Sequence, residues 1–465
     1  MSFSLTALGQ SSDDNSGEDP FRNDPFFSKP IQEFFQNSSE DSAEEVSSNS
    51  DKEIVQYRLN QLNENGIDYD GLFEAGPYNS VSLYSLYPNL PMIHYNRVSG
   101  LFLGIENERM QWYGDNWLEI PSIQTTGLIG YSFAQKEWNY SLGLEKLIGR
   151  KKYMMLGAEY HDAMATDDFW RIGLTETTLT SFFAGYDYQD YYKQQGYGLY
   201  VLLRSRRLFE GGVSFNDNRY SSLITKTDWA LFGSGNRYRE NPPIEFIFGT
   251  PVDTLNLSSL SFSGSFNPKR LVLSRHFTFS LSGMVEIADP GITSSDYDYT
   301  KYIGELATYI NFEPGGVLKY RLMMGSITGN APNFKEFQLG GVGSLRALPY
   351  KSLAGNSGSI DHYANQMILS NAEIQFGSPS YNNDSWIDFE DFYLSFFLDS
   401  GWANYSADLA DNSSPFTDFD QFDFSDLRHN GGIGLGSSLI RCELAWDLNE
   451  TSRSPVFWIR FNPTF

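Results

Sequence analysis

Residues 276–284 read HFTFSLSGM, and their alternation decides the fold class of the chain. Successive side chains of a strand point to opposite faces, so this stretch separates two sets of side chains. One set is apolar (Phe277, Phe279, Leu281 and Gly283), and the other is polar (His276, Thr278, Ser280 and Ser282). The segment NAEIQF (371–376) alternates in the same way. Each segment is therefore predicted to be a strand with one apolar face and one wet face.

Segments of this kind recur sixteen times between residue 92 and the end of the sequence. They are 92–105, 122–135, 137–148, 152–163, 179–189, 195–205, 207–220, 258–266, 275–286, 300–312, 315–325, 366–378, 390–403, 428–437, 439–448 and 455–465. An even number of strands of about ten residues, with many aromatic side chains on the apolar face, is typical of membrane barrels. The sequence therefore predicts an all-β fold, a 16-stranded antiparallel transmembrane β-barrel over residues 92–465.

The connections between these segments sort into two groups. Long connections at 221–257, 326–365 and 404–427 fall at one end of the predicted barrel, and short ones predominate at the other end. Short turns at one end and long loops at the other are typical of outer-membrane barrels. Two connections, 164–178 and 379–389, are longer than this pattern predicts for the short end.

Composition excludes several classes of function. The chain of 465 residues has 33 basic and 58 acidic side chains and a formal charge of −25, so it lacks the basic footprint of a nucleic-acid-binding protein. Its single cysteine, Cys442, leaves no intrachain disulfide and no thiolate metal cluster. No apolar run reaches 18 residues, so no transmembrane helix is predicted, although strands that alternate can still span a membrane.

The first 91 residues differ in composition from the rest of the chain. The start MSFSLTALGQ is similar to the end of a secretory signal, and residues 1–9 are interpreted as a signal-peptide remnant, with a chance match as the alternative. Residues 10–53 hold twelve acidic and three basic side chains among many Ser and Asn. Such a composition cannot bury a core, so 10–91 is predicted to be an acidic, disordered segment with a short helix over 52–62.

The chain ends on VFWIRFNPTF (456–465), in which aromatic and aliphatic side chains again fall on one face. A final strand that stops on phenylalanine is similar to the C-terminal targeting signal of outer-membrane barrels. The residues that carry this interpretation are Ile459, Phe461 and Phe465. The alternative is the last strand of a soluble β protein.

One long connection contains the stretch LGGVGSLRALPY (339–350), a glycine-rich loop with a lone arginine, Arg346. Four elements follow it: SNAEIQF (370–376), FFLDSGWAN (396–404), GGIGLG (431–436) and CELAWDL (442–448). This series resembles the C-terminal half of the BamA/TamA-type outer-membrane assembly-factor (bacterial surface antigen) superfamily. In that family the equivalent loop carries Val-Arg-Gly followed by Phe or Tyr, and its arginine meets a strand bearing Phe-x-Asp-x-Gly.

The resemblance implies that the loop folds into the barrel and that Arg346 and Asp399 form a lumen latch, because a guanidinium can grip a carboxylate with two hydrogen bonds. Phe397 and Gly401 complete the strand motif. The inward loop is then Gly340, Gly341, Gly343, Ser344, Leu345, Ala347 and Leu348. Two of these depart from the family, because Ala347 replaces the usual glycine and Leu348 the usual aromatic residue.

The resemblance further implies a protein of the bacterial outer membrane that acts in outer-membrane biogenesis, by inserting or translocating proteins. Its partners would be membrane lipids, lipopolysaccharide, protein clients or periplasmic proteins, and a second copy in a homodimer. Family members that assemble barrels carry POTRA domains, and residues 1–91 show no such βαββ pattern, so a POTRA-less member is expected.

Two other functions remain open. The first is a passive pore or structural barrel that kept the superfamily's shape, which the lack of a POTRA pattern favours. The second, a distant one, is an acyl hydrolase built on His276 and the hydroxyls that share its face. We expect no enzyme activity, no cofactor and no metal, since the carboxylates within 160–170 and 187–192 fit no metal-binding loop and are interpreted as charges at the barrel rim.

Overall fold

The computed structural model describes residues 93–107, 123–148, 154–205, 209–232, 238–267, 277–293, 295–312, 316–353, 363–377, 392–410, 414–415, 419, 422–437 and 440–461. The predictions for residues 1–91, for His276 and for the terminal Phe465 therefore lie outside the described residues.

The described residues form eighteen strands, and sixteen of them make one antiparallel sheet in chain order. The strands are β1 (Ile93–Asn96), β2 (Gly100–Asn107), β3 (Ile123–Ser132), β4 (Glu137–Ile148), β5 (Met154–Ala165), β6 (Tyr192–Ser205), β7 (Phe209–Ser222), β8 (Phe246–Ile247), β9 (Thr250–Pro251), β10 (Thr254–Phe266), β11 (Phe277–Ala288), β12 (Asp298–Phe312), β13 (Gly316–Asn330), β14 (Gln366–Phe376), β15 (Tyr393–Asn404), β16 (Arg428–Gly436), β17 (Ile440–Asp447) and β18 (Val456–Phe461). β8 and β9 form a separate hairpin. The helices are α1 (Leu174–Ala184) and α2 (Ala407–Ala410). The predicted all-β, 16-stranded antiparallel barrel is confirmed.

The outer face of the sheet is apolar, as the opening stretch predicts, while the inner face carries polar side chains and, where loops pack on it, an apolar cluster that includes Leu257 and Met323. On β11 the side chains of Phe277 and Leu281 are exposed, whereas Thr278 and Ser280 between them are buried. The polar face is buried because loops from one end of the barrel fold into the lumen and pack on it. No helix among the described residues is long and apolar enough to cross a membrane.

The predicted strand 92–105 is in fact a hairpin of two strands, β1 and β2. The turn between them is built by Asn96, whose side-chain oxygen accepts the backbone N–H groups of Val98 (2.9 Å) and Ser99 (2.8 Å). Gly100 follows at φ +58°, where a residue without Cβ is favoured. The apolar alternation breaks only over Arg97, Val98 and Ser99, and so short a break was included in one predicted strand.

The predicted strand 179–189 is wrong, because this region contains the end of helix α1 and an irregular segment. The helix stops at Gly185, which adopts φ +76° and donates to the carbonyl of Ser181 (3.2 Å), while Tyr186 donates to that of Thr180 (3.2 Å). Threonine and phenylalanine favour strands, and here the flanking glycine and the tertiary contacts override that propensity. This error and the missed hairpin cancel, so the predicted count of sixteen was still correct.

Splitting the first strand also changes which connections share an end of the barrel. The connection 166–191 moves to the end that carries the long loops 223–253, 331–365 and 405–427, so its length is no longer an exception. The connection 377–392 remains at the end with the short turns and is still longer than the pattern predicts.

Candidate functional site: a buried arginine cluster in the lumen

The glycine-rich loop folds inward, and its glycines make this possible. Gly340, Gly341 and Gly343 have φ values of +112°, +83° and +72°, a region that side chains rarely adopt. Gly343 also lies against the connection 166–191, since a Cβ on it would fall 1.9 Å from the carbonyl oxygen of Arg171. The close approach of two backbones therefore requires glycine at this position.

Arg346, at the tip of this loop, is buried with a side-chain exposure of 3 % and contacts three carboxylates. Its Nε and Nη2 donate to the two oxygens of Asp399, both at 2.8 Å, which is the bidentate geometry that the sequence predicts. Its Nη1 donates to Glu443 Oε1 (2.9 Å) and lies 3.4 Å from Glu373 Oε2. The ring of Phe397 lies under the guanidinium, with its centroid 3.4 Å from Cζ.

A second guanidinium shares these carboxylates. Arg441 donates to the two oxygens of Glu373 (2.8 and 2.6 Å) and contacts Glu443 (2.5 Å), and its side chain is fully buried. Three carboxylates thus face two guanidiniums. Burial lowers the pKa of Arg346, but Asp399 and Glu443 outweigh it, so the net pKa is raised and the charge is kept.

Sequence reasoning missed Glu373, Arg441 and Glu443 as members of this cluster. Glu373 and Glu443 lie within the quoted stretches NAEIQF and CELAWDL, and Arg441 immediately precedes the latter. Charged side chains on the inward face of strands one or two places from the strand of Asp399 were the signal that could have found them, because a buried charge needs a partner.

The backbone of the loop is held by side chains from the last strands. Asn430 on β16 accepts the N–H of Ala347 (2.9 Å), and Trp458 on β18 donates its indole N–H to the carbonyl of Arg346 (2.8 Å). Asn371 on β14 donates to the carbonyl of Ser344 (2.9 Å) and to Asp399 (2.8 Å). The loop is therefore fixed to several strands at once.

The other residues predicted for the inward loop are all buried. They are Ser344 and Leu345, each with 0 % exposure, and Ala347 and Leu348, each with 6 %. Gly401 leaves room for Leu345, because a Cβ on it would lie 3.0 Å from Leu345 Cδ1. Ala347 packs with Phe397 and Ala445, and Leu348 joins the main apolar cluster, so both departures from the family pattern fit this lumen. That these contacts act as a latch stays a prediction.

Residues of the predicted targeting signal lie on the edge strand β18. Ile459 points outward with 51 % exposure, and Phe461 is the last described residue of the strand. Their role in targeting stays a prediction.

A second ionic cluster joins three connections at the long-loop end. Arg97, in the β1–β2 turn, contacts Asp187 (3.1 Å) and Asp190 (2.9 Å) of the connection 166–191. Lys351, beyond the inward loop, contacts Asp190 (2.7 Å) and Asp168 (2.8 Å). Asp168 and Asp187 are buried and paired with cations at this end of the barrel, and their interpretation as rim charges stays a prediction.

A cavity of about 140 Å³ lies between the connection 166–191, the segment 334–338 and the barrel wall. Its lining includes Lys335 and Glu336, and Lys335 contacts Glu286 on β11 (3.3 Å). Burial raises the pKa of Glu336 to about 7, and the nearby Glu245 adds to this, against an opposing hydrogen bond from Asn333. This carboxyl therefore changes charge close to neutral pH.

Comparison with known proteins gives a family and several structural neighbours. The model of the C-terminal domain of a family of unknown function (DUF5686) matches residues 76–337. The chain is similar in structure to BamA from Haemophilus ducreyi lacking POTRA domains 1–3, with 15 % identity and a TM-score of 0.47 over 79 % of this chain and 68 % of that one.

Two structures of CdiB are also similar. That from Acinetobacter baumannii has 11 % identity and a TM-score of 0.38, covering 73 % of this chain and 53 % of that one. That from Escherichia coli has 11 % identity and a TM-score of 0.37, covering 77 % and 61 %. No curated protein matches the sequence.

Proposed function

The chain belongs to the DUF5686 family, whose function is unknown, and we propose that it is a bacterial outer-membrane barrel that acts in outer-membrane biogenesis by inserting or translocating proteins. The observation that carries this proposal is the buried contact of Arg346 with Asp399, through which a loop is fixed inside the lumen.

The outer surface supports a membrane location. Exposed apolar side chains cover the outward face of the strands, as with Ile129 on β3 and Leu142 on β4. Near the end with the short turns, phenylalanine rings contact one another in two rows, from strand to strand or, between Phe312 and Phe376, across Gly316 of the strand between them. The rows are Phe209, Phe266 and Phe279 (centroids 5.0 and 5.2 Å apart) and Phe312, Phe376 and Phe396 (6.0 and 6.3 Å). Such aromatic girdles mark the membrane interface in outer-membrane barrels.

The lumen cluster supports an active rather than a passive barrel. Removing each ion from water costs several kcal/mol, and only good geometry and extra hydrogen bonds offset that cost. Here the guanidinium of Arg346 donates to carboxylates on β14, β15 and β17, and its backbone carbonyl accepts a hydrogen bond from Trp458 on β18. Position and register of the loop are thereby tied to the last strands of the sheet. The connections packed in the lumen also disfavour a passive open pore.

The seam of the sheet, between its first strand β1 and its last strand β18, supports the proposal that the barrel wall opens. Within the described residues no ladder pairs β1 with β18, whereas every other neighbouring pair of barrel strands is hydrogen-bonded. β1 has four residues, and Gly100, which lies opposite Asn96, adds no side chain to its support. We propose that clients and lipid meet the barrel at this seam, and that the loop fixed by Arg346 senses the position of β18.

The proposed partners are membrane lipids, lipopolysaccharide, client proteins and periplasmic proteins that deliver clients, with a homodimer as a further assembly. We propose no enzymatic activity and no cofactor or metal. The structural-barrel alternative keeps the same membrane location and has no clients.

Depletion of the protein followed by quantification of the outer-membrane proteome tests this proposal. We expect a broad fall in other barrel proteins, restored by the wild-type chain and not by Asp399→Asn, which breaks the bidentate contact. The variant's own amount in the membrane, read from its unheated gel mobility, separates lost function from lost assembly. A proteome unchanged except for this protein would contradict the proposal and favour the structural barrel.

A further inference from the structure

The two edge strands present defined faces at the gap between them. On β18, Phe457 (59 %) and Ile459 (51 %) are exposed outward, so Arg460 points into the lumen. On β1, Tyr95 lies directly opposite Leu101, which is exposed outward at 39 %. Residues directly opposite in a ladder share a face, so Tyr95 points outward.

Helix α1 contacts the inner face of one edge and the outer face of the other. Glu176 accepts hydrogen bonds from Nε and Nη2 of Arg460 (both 3.0 Å) and from the backbone N–H of Phe461 (3.2 Å). Six residues later, the ring of Phe182 meets Tyr95 edge-to-face at 5.5 Å. The helix therefore lies in the gap, reaching from the lumen side of β18 to the outside of β1.

The helix has the same inside-out pattern as the strands. Its buried residues are all polar, namely Glu176, Thr177, Thr180 and Ser181. Its apolar side chains, including Phe182 and Phe183, lie on the less buried side, and Phe183 is 36 % exposed. A helix of a water-soluble protein shows the reverse arrangement.

A segment of the loop 223–253 extends this apolar surface. Trp229 (51 %), Leu231 (48 %) and Phe232 (78 %) are exposed beside the helix. The rings of Phe183 and Phe232 stack at 6.1 Å, and those of Phe182 and Trp229 meet at 5.2 Å. A cluster of this size in contact with water would be costly, which points to an apolar partner.

The backbone at the end of the helix suits an environment without water. The carbonyls of residues 180–183 all accept hydrogen bonds from the chain, from Tyr186, Gly185, Leu231 and Phe232 in that order (3.2, 3.2, 2.8 and 2.9 Å). Helix ends normally leave such carbonyls to water, and a segment facing lipid must satisfy them internally.

We propose that α1 and residues 229–232 complete the barrel wall between β1 and β18, and that their exposed aromatic surface contacts the acyl chains of the membrane. The surface continues the outer face of the sheet, because Tyr95 pairs with Leu101, and Leu101 accepts the N–H of the exposed Phe133 (3.0 Å). This inference rests on the membrane location in the proposed function.

Spin labels in the full chain, reconstituted in phosphatidylcholine vesicles, test the proposal. The native Cys442 is exposed and is first changed to serine. One label replaces Phe232, with a second preparation labelled at Phe183. Ile129 on the outer face of β3 is the lipid control, and Glu240, exposed in the same loop as Phe232, is the water control. Oxygen concentrates in the bilayer and a nickel chelate in water, so relaxation by the two separates the environments.

We expect Phe232 and Phe183 to group with Ile129, relaxed more by oxygen than by nickel. If both group with Glu240 while Ile129 remains in lipid, the inference is overturned and the membrane location stands. If Ile129 also groups with Glu240, the location fails and the inference fails with it.

Discussion

Trp458 on the edge strand donates its indole N–H to the carbonyl oxygen of Arg346 at 2.8 Å, and its ring meets Tyr188 edge-to-face at 5.4 Å. Two connections that fill the lumen thus meet on one side chain of the strand that borders the seam. A change in the position of β18 would move the carbonyl of the residue whose guanidinium holds three carboxylates.

Replacing this tryptophan with phenylalanine keeps a ring and removes the donor. We expect Trp458→Phe to destabilise the barrel by about 1–2 kcal/mol, because a buried carbonyl loses its partner. Samples are heated to increasing temperatures and run on a denaturing gel, on which the folded barrel migrates faster than the unfolded chain. The temperature at which half of the fast-migrating form is lost measures the change. Trp138→Phe, at a site 60 % exposed on the outer face of β4, is the matched control and should change the midpoint little.

Removing the guanidinium should cost more. Arg346→Met removes a cation that contacts Glu373, Asp399 and Glu443, so we expect a loss of about 3–5 kcal/mol in the free energy of unfolding. Arg453→Met removes a half-exposed arginine and should cost about 1 kcal/mol or less. Equal midpoints for the two variants would show that the cluster contributes no stability.

Charge reversal should restore only part of this loss. With Arg346→Glu and Asp399→Arg together, the new glutamate keeps one cationic partner but faces Glu443 and Glu373 at close range. We expect the double variant to be more stable than either single variant and less stable than the wild type, measured by the same gel assay. Full recovery would mean that Glu373 and Glu443 do not interact strongly with residue 346.

The inward turn should not tolerate a side chain at Gly343. We expect Gly343→Ala to prevent the loop from seating, because the new Cβ would overlap the backbone of Arg171 and φ is +72°. Limited proteolysis of the loop in native membranes measures this as faster cleavage. Gly264→Ala on β10, where a Cβ meets open space, is the control and should leave cleavage unchanged.

Stability should depend on pH through Glu336. Burial raises its pKa to about 7 from an ordinary value of 4.5, so the folded state holds the proton more tightly than the unfolded state. Its contribution is therefore full below pH 4.5 and is lost as the pH rises to about 7, by at most about 3 kcal/mol. Glu336→Gln should reduce the dependence of the melting midpoint on pH over this range, whereas a change of the exposed Glu240 to Gln should leave that dependence unchanged. A wild-type midpoint independent of pH would contradict this.

The sequence predicts the features of the fold that repeat along the chain and one contact between two distant residues. Period-two alternation predicts the sheet and its apolar outer face, because each strand repeats the same environment, as on β11. Arg346 and Asp399 could be paired only through the resemblance to a family motif. Nothing local in LGGVGSLRALPY specifies a partner 53 residues away.

What the sequence did not reveal depends on contacts between distant segments. The turn at Asn96 rests on one side-chain oxygen that accepts two backbone N–H groups, a contact that the alternation on either side of the turn does not specify. Helix α1 buries its polar residues and exposes apolar ones, so it lacks the amphipathic pattern by which a helix of a soluble protein is recognised. Its Thr and Phe residues also favour a strand. Glu443 and Arg441 become a site only when β17 lies beside the inward loop.

The most direct measurement is the amount of other outer-membrane barrel proteins in cells whose only copy carries Arg346→Lys, normalised to the amount of assembled variant. Lysine keeps the charge but cannot form the bidentate contact with Asp399. We expect a broad fall in those proteins although the variant assembles, and no fall with the control Arg453→Lys. Normal levels at full assembly of Arg346→Lys would contradict a functional role for the latch.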